Sequence, residues 1–140
     1  MLHIALVILL TAIAWVILGS VLFFNPLVDP VYQEMYGHPE TYPQVRRVPK
    51  SPGTLALITA INLLKCSCYA AVYLIVVRCL PAAPAARGVL FGFMLTLTRM
   101  IPGDVDRAFL TTYPATAAWI EFAIFTIGVF FIAMSYAFFL

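Results

Sequence analysis

The chain has 140 residues, of which 64% are hydrophobic and 10% charged, with a net charge of +2. Its mean hydropathy of +1.01 is far from that of a soluble domain, in which about a quarter of residues are charged. A fold of this length cannot hide so much apolar surface, so lipid must cover it. The small net charge and the lack of any basic block exclude nucleic acid as a partner. The length leaves room for a single domain, 1–140.

Met1–Phe24 carries no charged side chain, and its polar residues are His3, Thr11 and Ser20. About 20 such residues cross the ~30 Å hydrocarbon core as a helix, which predicts a first span over about 2–24. A cleaved signal peptide fits less well, because the basic leading region and the small-residue cleavage pattern are missing. Ala5, Ala12 and Gly19 recur every seven residues and form a candidate seam for the close approach of another helix. Asn25-Pro26 ends this helix, since proline removes a donor and restricts the residue before it. The connection 25–53 holds six of the ten prolines. Within it Asp29–Tyr36 is predicted to make one or two helical turns at the membrane surface, with Tyr32 and Tyr36 at headgroup level. So long a loop is either a lid over the bundle or a docking surface.

A second span is predicted over about 54–80. Thr59, Asn62, Cys66, Tyr69 and Tyr73 fall on one face of it, with Lys65 at the margin. Arg78 can snorkel to the far interface, and Pro81–Arg87 form a turn. The third span, about 88–103, places Gly88, Gly92, Thr96, Arg99 and Gly103 on one face. Its Gly88-x-x-x-Gly92 spacing lets backbones touch. Thr111-Thr112-Tyr113-Pro114 reads as a helix start with a hydroxyl cap and proline in the first turn. The fourth span, about 115–140, carries Ala117, Glu121, Gly128 and Ser135 on one face and Trp119 near its start, at headgroup depth.

The expected fold is therefore all-α: four transmembrane helices in an antiparallel up-down bundle, with a long Pro-rich loop between helices 1 and 2. Three charges lie within the spans: Lys65, Arg99 and Glu121. Each costs about 2.5–3.5 kcal/mol in lipid, so such residues turn inward or toward a wet cavity. At 1.5 Å per residue, Lys65 stands roughly 16 Å and Glu121 roughly 9 Å from the long-loop side, with Arg99 nearby. Glu121 is expected to pair with Lys65, Arg99 or both, with Asn62, Tyr69 and Thr96 supplying hydrogen bonds. The cluster either orients the bundle or lines a solute site.

No catalytic residue, metal site or cofactor is expected. Cys66 and Cys68 point about 200° apart on a helix and Cys79 is too distant, so the three cysteines read as small packers rather than a disulfide. His3 and His38 lie on opposite sides of the first span and cannot both ligate one haem. H-E-x-x-H, G-x-S-x-G and phosphate-loop motifs are missing from the sequence.

Small multidrug transporters share the chain's size, but they are organised around a glutamate in the first span, whereas the membrane glutamate here is Glu121 in the last. The glutathione-linked four-helix enzymes carry an E-R-x-x-x-N-type motif that Asn62-x-x-Lys65 does not match. Asn25-Pro-Leu27 after the first span, and a small-residue third span ending in Pro-Gly before Thr-Tyr-Pro114, resemble a loose group of uncharacterised small four-helix bacterial integral membrane proteins. That resemblance implies a fold and no activity.

Two functions are expected from these features. The first is a non-catalytic accessory or structural subunit that packs against a larger membrane complex, with membrane lipid, other membrane subunits or further copies of itself as partners. The alternative is a small oligomeric transporter using the Lys65, Arg99 and Glu121 cluster for proton or solute binding. The expected location is a bacterial inner membrane. A bare count of Arg46, Arg47, Lys50 and Arg107 favours the long loop in the cytoplasm. Against it, Arg78 and Arg87 flank their helices directly and Asp29, Glu34 and Glu40 follow the first span, which favours both termini in the cytoplasm.

Overall fold

The computed structural model describes residues 2–38, 40–41, 51–101, 103, 109 and 113–140. The described part is all-helical: α1 (Leu2–Phe23), α2 (Asp29–Gly37), α3 (Pro52–Val76), α4 (Pro84–Leu95) and α5 (Ala115–Phe139). A 3-10 turn, Val77–Cys79, extends α3, and a π-helical segment, Thr96–Met100, extends α4.

Three helical stretches are long and apolar enough to cross a membrane: Leu2–Phe23, Pro52–Cys79 and Ala115–Phe139. The expected fourth span is the exception. Twelve residues of α4 reach roughly 18 Å at 1.5 Å per residue, against a core of ~30 Å. Pro81 and Pro84 prevent an earlier start, and the α-type ladder gives way at Thr96. The predicted bundle of four complete transmembrane helices is thus corrected to three long helices and a shorter, interrupted one.

Local chemistry accounts for the helix ends. Phe24 N–H bonds the Ser20 carbonyl, closing the last turn of α1. Asn25 then folds over the exit: its amide donates to the Leu22 carbonyl, and its Oδ1 accepts from Leu27 N–H at 2.9 Å and Val28 N–H at 3.1 Å. These bonds satisfy donors that the proline-interrupted chain would otherwise strand. Ser51 caps α3, its hydroxyl accepting from Thr54 N–H at 3.2 Å, with Pro52 in the first turn. For α5, Pro114 is the N-cap residue and no side chain caps it. The threonines expected to cap it, Thr111 and Thr112, lie outside the described residues.

Helix α5 is the centre of the fold. It packs against α4 on one side and α1 on the other, while α3 packs chiefly on α1. Gly88 lies under Met134 and Ala137, and Gly92 under Phe130, so α4 runs antiparallel to α5. Gly128 receives the indole of Trp15, and His3 reaches the Phe139 carbonyl at 2.7 Å, which makes α1 antiparallel to α5 as well. A Cβ on Gly92 would stand 2.8 Å from the Phe130 ring, so only glycine permits this approach. Of the α1 seam, Ala12 and Gly19 are buried and Ala5 is exposed; the close approach runs through the middle and end of the helix, where Trp15 crosses α5.

Candidate functional site

Asn62, Lys65 and Tyr69 occupy one face of α3 and line a cavity of about 210 Å³. Neighbouring polar side chains on the same helix are satisfied locally. Thr59, Asn62 and Ser67 donate to the carbonyls four residues back, at 2.8, 3.0 and 2.8 Å. Lys65 has a longer stem, which carries its ammonium to the cavity. It stands thirteen residues past Pro52, roughly 20 Å along the helix, near the middle of the apolar stretch Pro52–Cys79.

Arg99 reaches the same cavity from the other side. The π segment explains how. Thr96 and Thr98 hydroxyls donate to the Gly92 and Met94 carbonyls, at 2.9 and 2.8 Å, and such back-bonding competes with the helix ladder. The backbone N–H of Ile101 then bonds the Thr96 carbonyl, five residues back. Single π turns of this kind recur at functional sites, where they re-aim a side chain.

The remaining walls are apolar. Trp15 of α1 and Phe125, Val129 and Ile132 of α5 close the cavity opposite the two cations. Behind Lys65, Cys66 is fully buried and its carbonyl accepts the Tyr136 hydroxyl at 2.7 Å. The Tyr73 ring meets Phe91 edge-on at 5.1 Å and Tyr136 at 6.1 Å, joining α3, α4 and α5 below the cavity. Lys65 and Arg99 are both exposed within the chain, so the cavity is open to its surroundings on their side. Among the described residues, no carboxylate lines it.

Glu121 belongs to a second cluster. Its Oε1 accepts the Tyr32 hydroxyl at 2.7 Å and also the Tyr113 hydroxyl. Glu121 as a whole residue is 8% exposed. Among the described residues no ion pair joins Glu121 to Lys65 or Arg99, so the expected three-charge cluster is divided. The carboxylate is held instead by hydroxyls that α2 and the residue before Pro114 bring to it. There α2 folds against the bundle, with Met35 buried and Tyr32 edge-on to Phe23 at 6.2 Å. Burial, reinforced by the hydrogen bond to Glu121 and its charge, pushes the Tyr32 hydroxyl well above its ordinary range and keeps it a donor.

Sequence reasoning thus brings Lys65, Arg99, Asn62 and Tyr69 together, while Thr96 is buried against Gly92 and Glu121 sits apart. It missed Trp15, whose signal is a lone indole within an aliphatic span, and the pairing of Tyr32 and Tyr113 with Glu121. Of the cysteines expected as buried packers, Cys66 is buried, whereas Cys68 and Cys79 are exposed; all three are free. Cys66 and Cys68 differ because positions two apart face opposite sides of a helix. Among the described residues no group of three His, Cys, Asp or Glu could hold a metal. Compared with protein-family models, characterised proteins and solved structures, the chain gives no match.

Proposed function

We propose that this is an integral membrane protein that binds an anionic solute or group near the bilayer midplane, in the manner of a small transporter. The observation that carries the reading is the convergence of Lys65 and Arg99 on one cavity without a carboxylate among its described lining residues. Ionisable residues inside a membrane are costly and mark substrate or ion pathways, and transporter sites lie at this depth. Trp15, Phe125 and Val129 supply a dry wall, against which two positive charges act in a low dielectric and attract a counter-ion strongly. Lys65 and Arg99 bind; Asn62 and Tyr69 orient through their amide and hydroxyl. The location proposed is a bacterial inner membrane with both termini in the cytoplasm.

Reconstitution into proteoliposomes tests this. The wild-type chain should carry anion flux, and the Lys65→Met/Arg99→Met double variant should not; equal flux in both overturns the reading.

A second reading, the non-catalytic accessory subunit, is favoured by α3. Of its 25 residues only Cys66, Ala70 and Tyr73 are buried, leaving an apolar outer face that a larger membrane complex or a second copy could cover. Mild detergent extraction should then recover the protein in a larger particle. A native mass matching one 15.5 kDa chain counts against it.

A further inference from the structure

We infer that the anion taken by the Lys65–Arg99 cavity is a phosphate group of the monoester or inorganic type, carrying up to two negative charges. This rests on the anion-site reading above and specifies its chemistry. Charge is the first argument. Two cations converge where no described carboxylate offsets them, and at membrane depth a dianion neutralises both where a monoanion leaves one uncompensated. Donor count is the second. Arg99 offers a planar fork of five N–H groups, Lys65 three, the Asn62 amide one beyond its bond to the Ile58 carbonyl, and the Tyr69 hydroxyl one. The guanidinium fork takes two oxygens of either group; a carboxylate then has no further oxygen for the other donors, whereas a phosphomonoester has three strong acceptor oxygens.

Size is the third argument. At about 210 Å³ the cavity is smaller than the roughly 300–1,000 Å³ typical of sites that engulf a whole drug-sized ligand. It accommodates a headgroup-sized anion, and any larger remainder must lie outside. Because Lys65 and Arg99 are exposed on the open side, such a remainder has an exit toward the surrounding lipid. Basic pockets between transmembrane helices take lipid phosphates in this manner. A free phosphate solute presents the same group without the acyl chains.

The test uses the full chain in phosphatidylcholine nanodiscs. Trp15 lines the cavity and the other tryptophan, Trp119, does not, so Trp119→Phe leaves Trp15 as a local reporter. Inorganic phosphate is added in one arm, phosphatidic acid is incorporated in a second, and acetate and chloride are titrated in a third. The expected result is a saturable change in Trp15 emission with phosphate, phosphatidic acid or both, about tenfold or more tighter than with acetate. A response to phosphatidic acid alone identifies a lipid headgroup as the source. A response to inorganic phosphate alone identifies a solute.

Lys65→Met and Arg99→Met should each weaken the response about tenfold or more. Both remove an intramembrane charge, so they favour insertion rather than oppose it. Arg99→Lys keeps the charge but loses the fork, which engages either anion bidentately, so it should weaken phosphate and acetate together while phosphate stays the tighter of the two. Equal affinity for acetate and phosphate, lost in the methionine variants, overturns the phosphate inference and leaves the anion site standing. No response to any anion, or a response indifferent to both substitutions, overturns the two together.

Discussion

Helices α4 and α3 flank the same central helix pair, yet they are held in opposite ways. Along α4, glycines bring the backbone against α5: the Cβ position of Gly88 is 3.1 Å from Met134 Cα and 3.2 Å from Ala137 Cβ. Lipid provides no hydrophobic force between helices, so such close packing is what holds them. Helix α3 has no glycine after Gly53. It is fixed by its seat on α1 and by a few specific contacts, the Tyr73 ring stack and the Tyr136 hydroxyl on the Cys66 carbonyl. Where α3 stands off, the cavity opens. The contrast separates a dry, glycine-tight side that defines the fold from a polar, loosely seated side that can admit a ligand.

The strongest way to break this division is to fill the tight side. Gly128→Leu drives a side chain into the Trp15 indole and should cost about 1–3 kcal/mol or more, as overpacking does. Thermal unfolding in detergent measures it, and Trp15→Ala in the same chain should recover part of the loss. If the double change is no more stable than Gly128→Leu alone, the indole is not what fills that space.

Two tyrosines sharpen the comparison on the α3 side. Tyr136→Phe removes the bond to the Cys66 carbonyl and should cost about 0.6 kcal/mol, the average for a hydrogen bond within a membrane. The Tyr73 hydroxyl is buried with no partner among the described residues. Tyr73→Phe should therefore be neutral or stabilising, by up to about 1 kcal/mol. Opposite signs for these two conservative changes are the expected outcome in chemical unfolding. Two equal losses would mean that the Tyr73 hydroxyl has found a partner.

Smaller effects concern α2. Tyr32→Phe removes one of the hydroxyls that bond Glu121 and should speed proteolysis near α2 several-fold, on the order of 1 kcal/mol of local opening, with little change in global unfolding. The smallest effect is one of pH. A hydroxyl whose folded-state ionisation is raised contributes stability that is intact below its ordinary value and lost only as pH climbs toward the raised one. Docking of α2 should thus be constant from neutral pH through the ordinary tyrosine value of 10.0. Phenolate absorbance of the wild type against Tyr32→Phe checks this, and a Tyr32 component ionising near the ordinary value would contradict it.

Much of this was legible in the residues. Long runs of high hydropathy mark α1, α3 and α5, Asn25-Pro26 marks the end of α1, and Asp29–Tyr36 marks α2. Helical spacing puts Asn62, Lys65 and Tyr69 on one face, and counting depth brings Arg99 toward them. What could not be read depends on contacts between distant segments. The choice of Tyr32 as a partner for Glu121 arises because α2 folds back over the bundle, which no periodicity encodes. The Trp15–Gly128 socket joins two helices more than a hundred residues apart. Nor does the spacing 88, 92, 96, 99, 103 reveal that the ladder slips between Thr96 and Met100, because it assumes an unbroken α-helix.

That slip has a consequence for how the chain tolerates changes in length. A π turn accommodates one residue more than the α pattern needs, so shortening Thr96–Met100 by a single position would let the ladder close and re-aim the side chains within the turn, Arg99 among them. The guanidinium would swing away from Lys65 although its codon was untouched. At this point in the chain a one-residue deletion is equivalent to a loss-of-charge substitution, and the presence of an arginine in an aligned sequence would not reveal whether that arginine still faces the lysine.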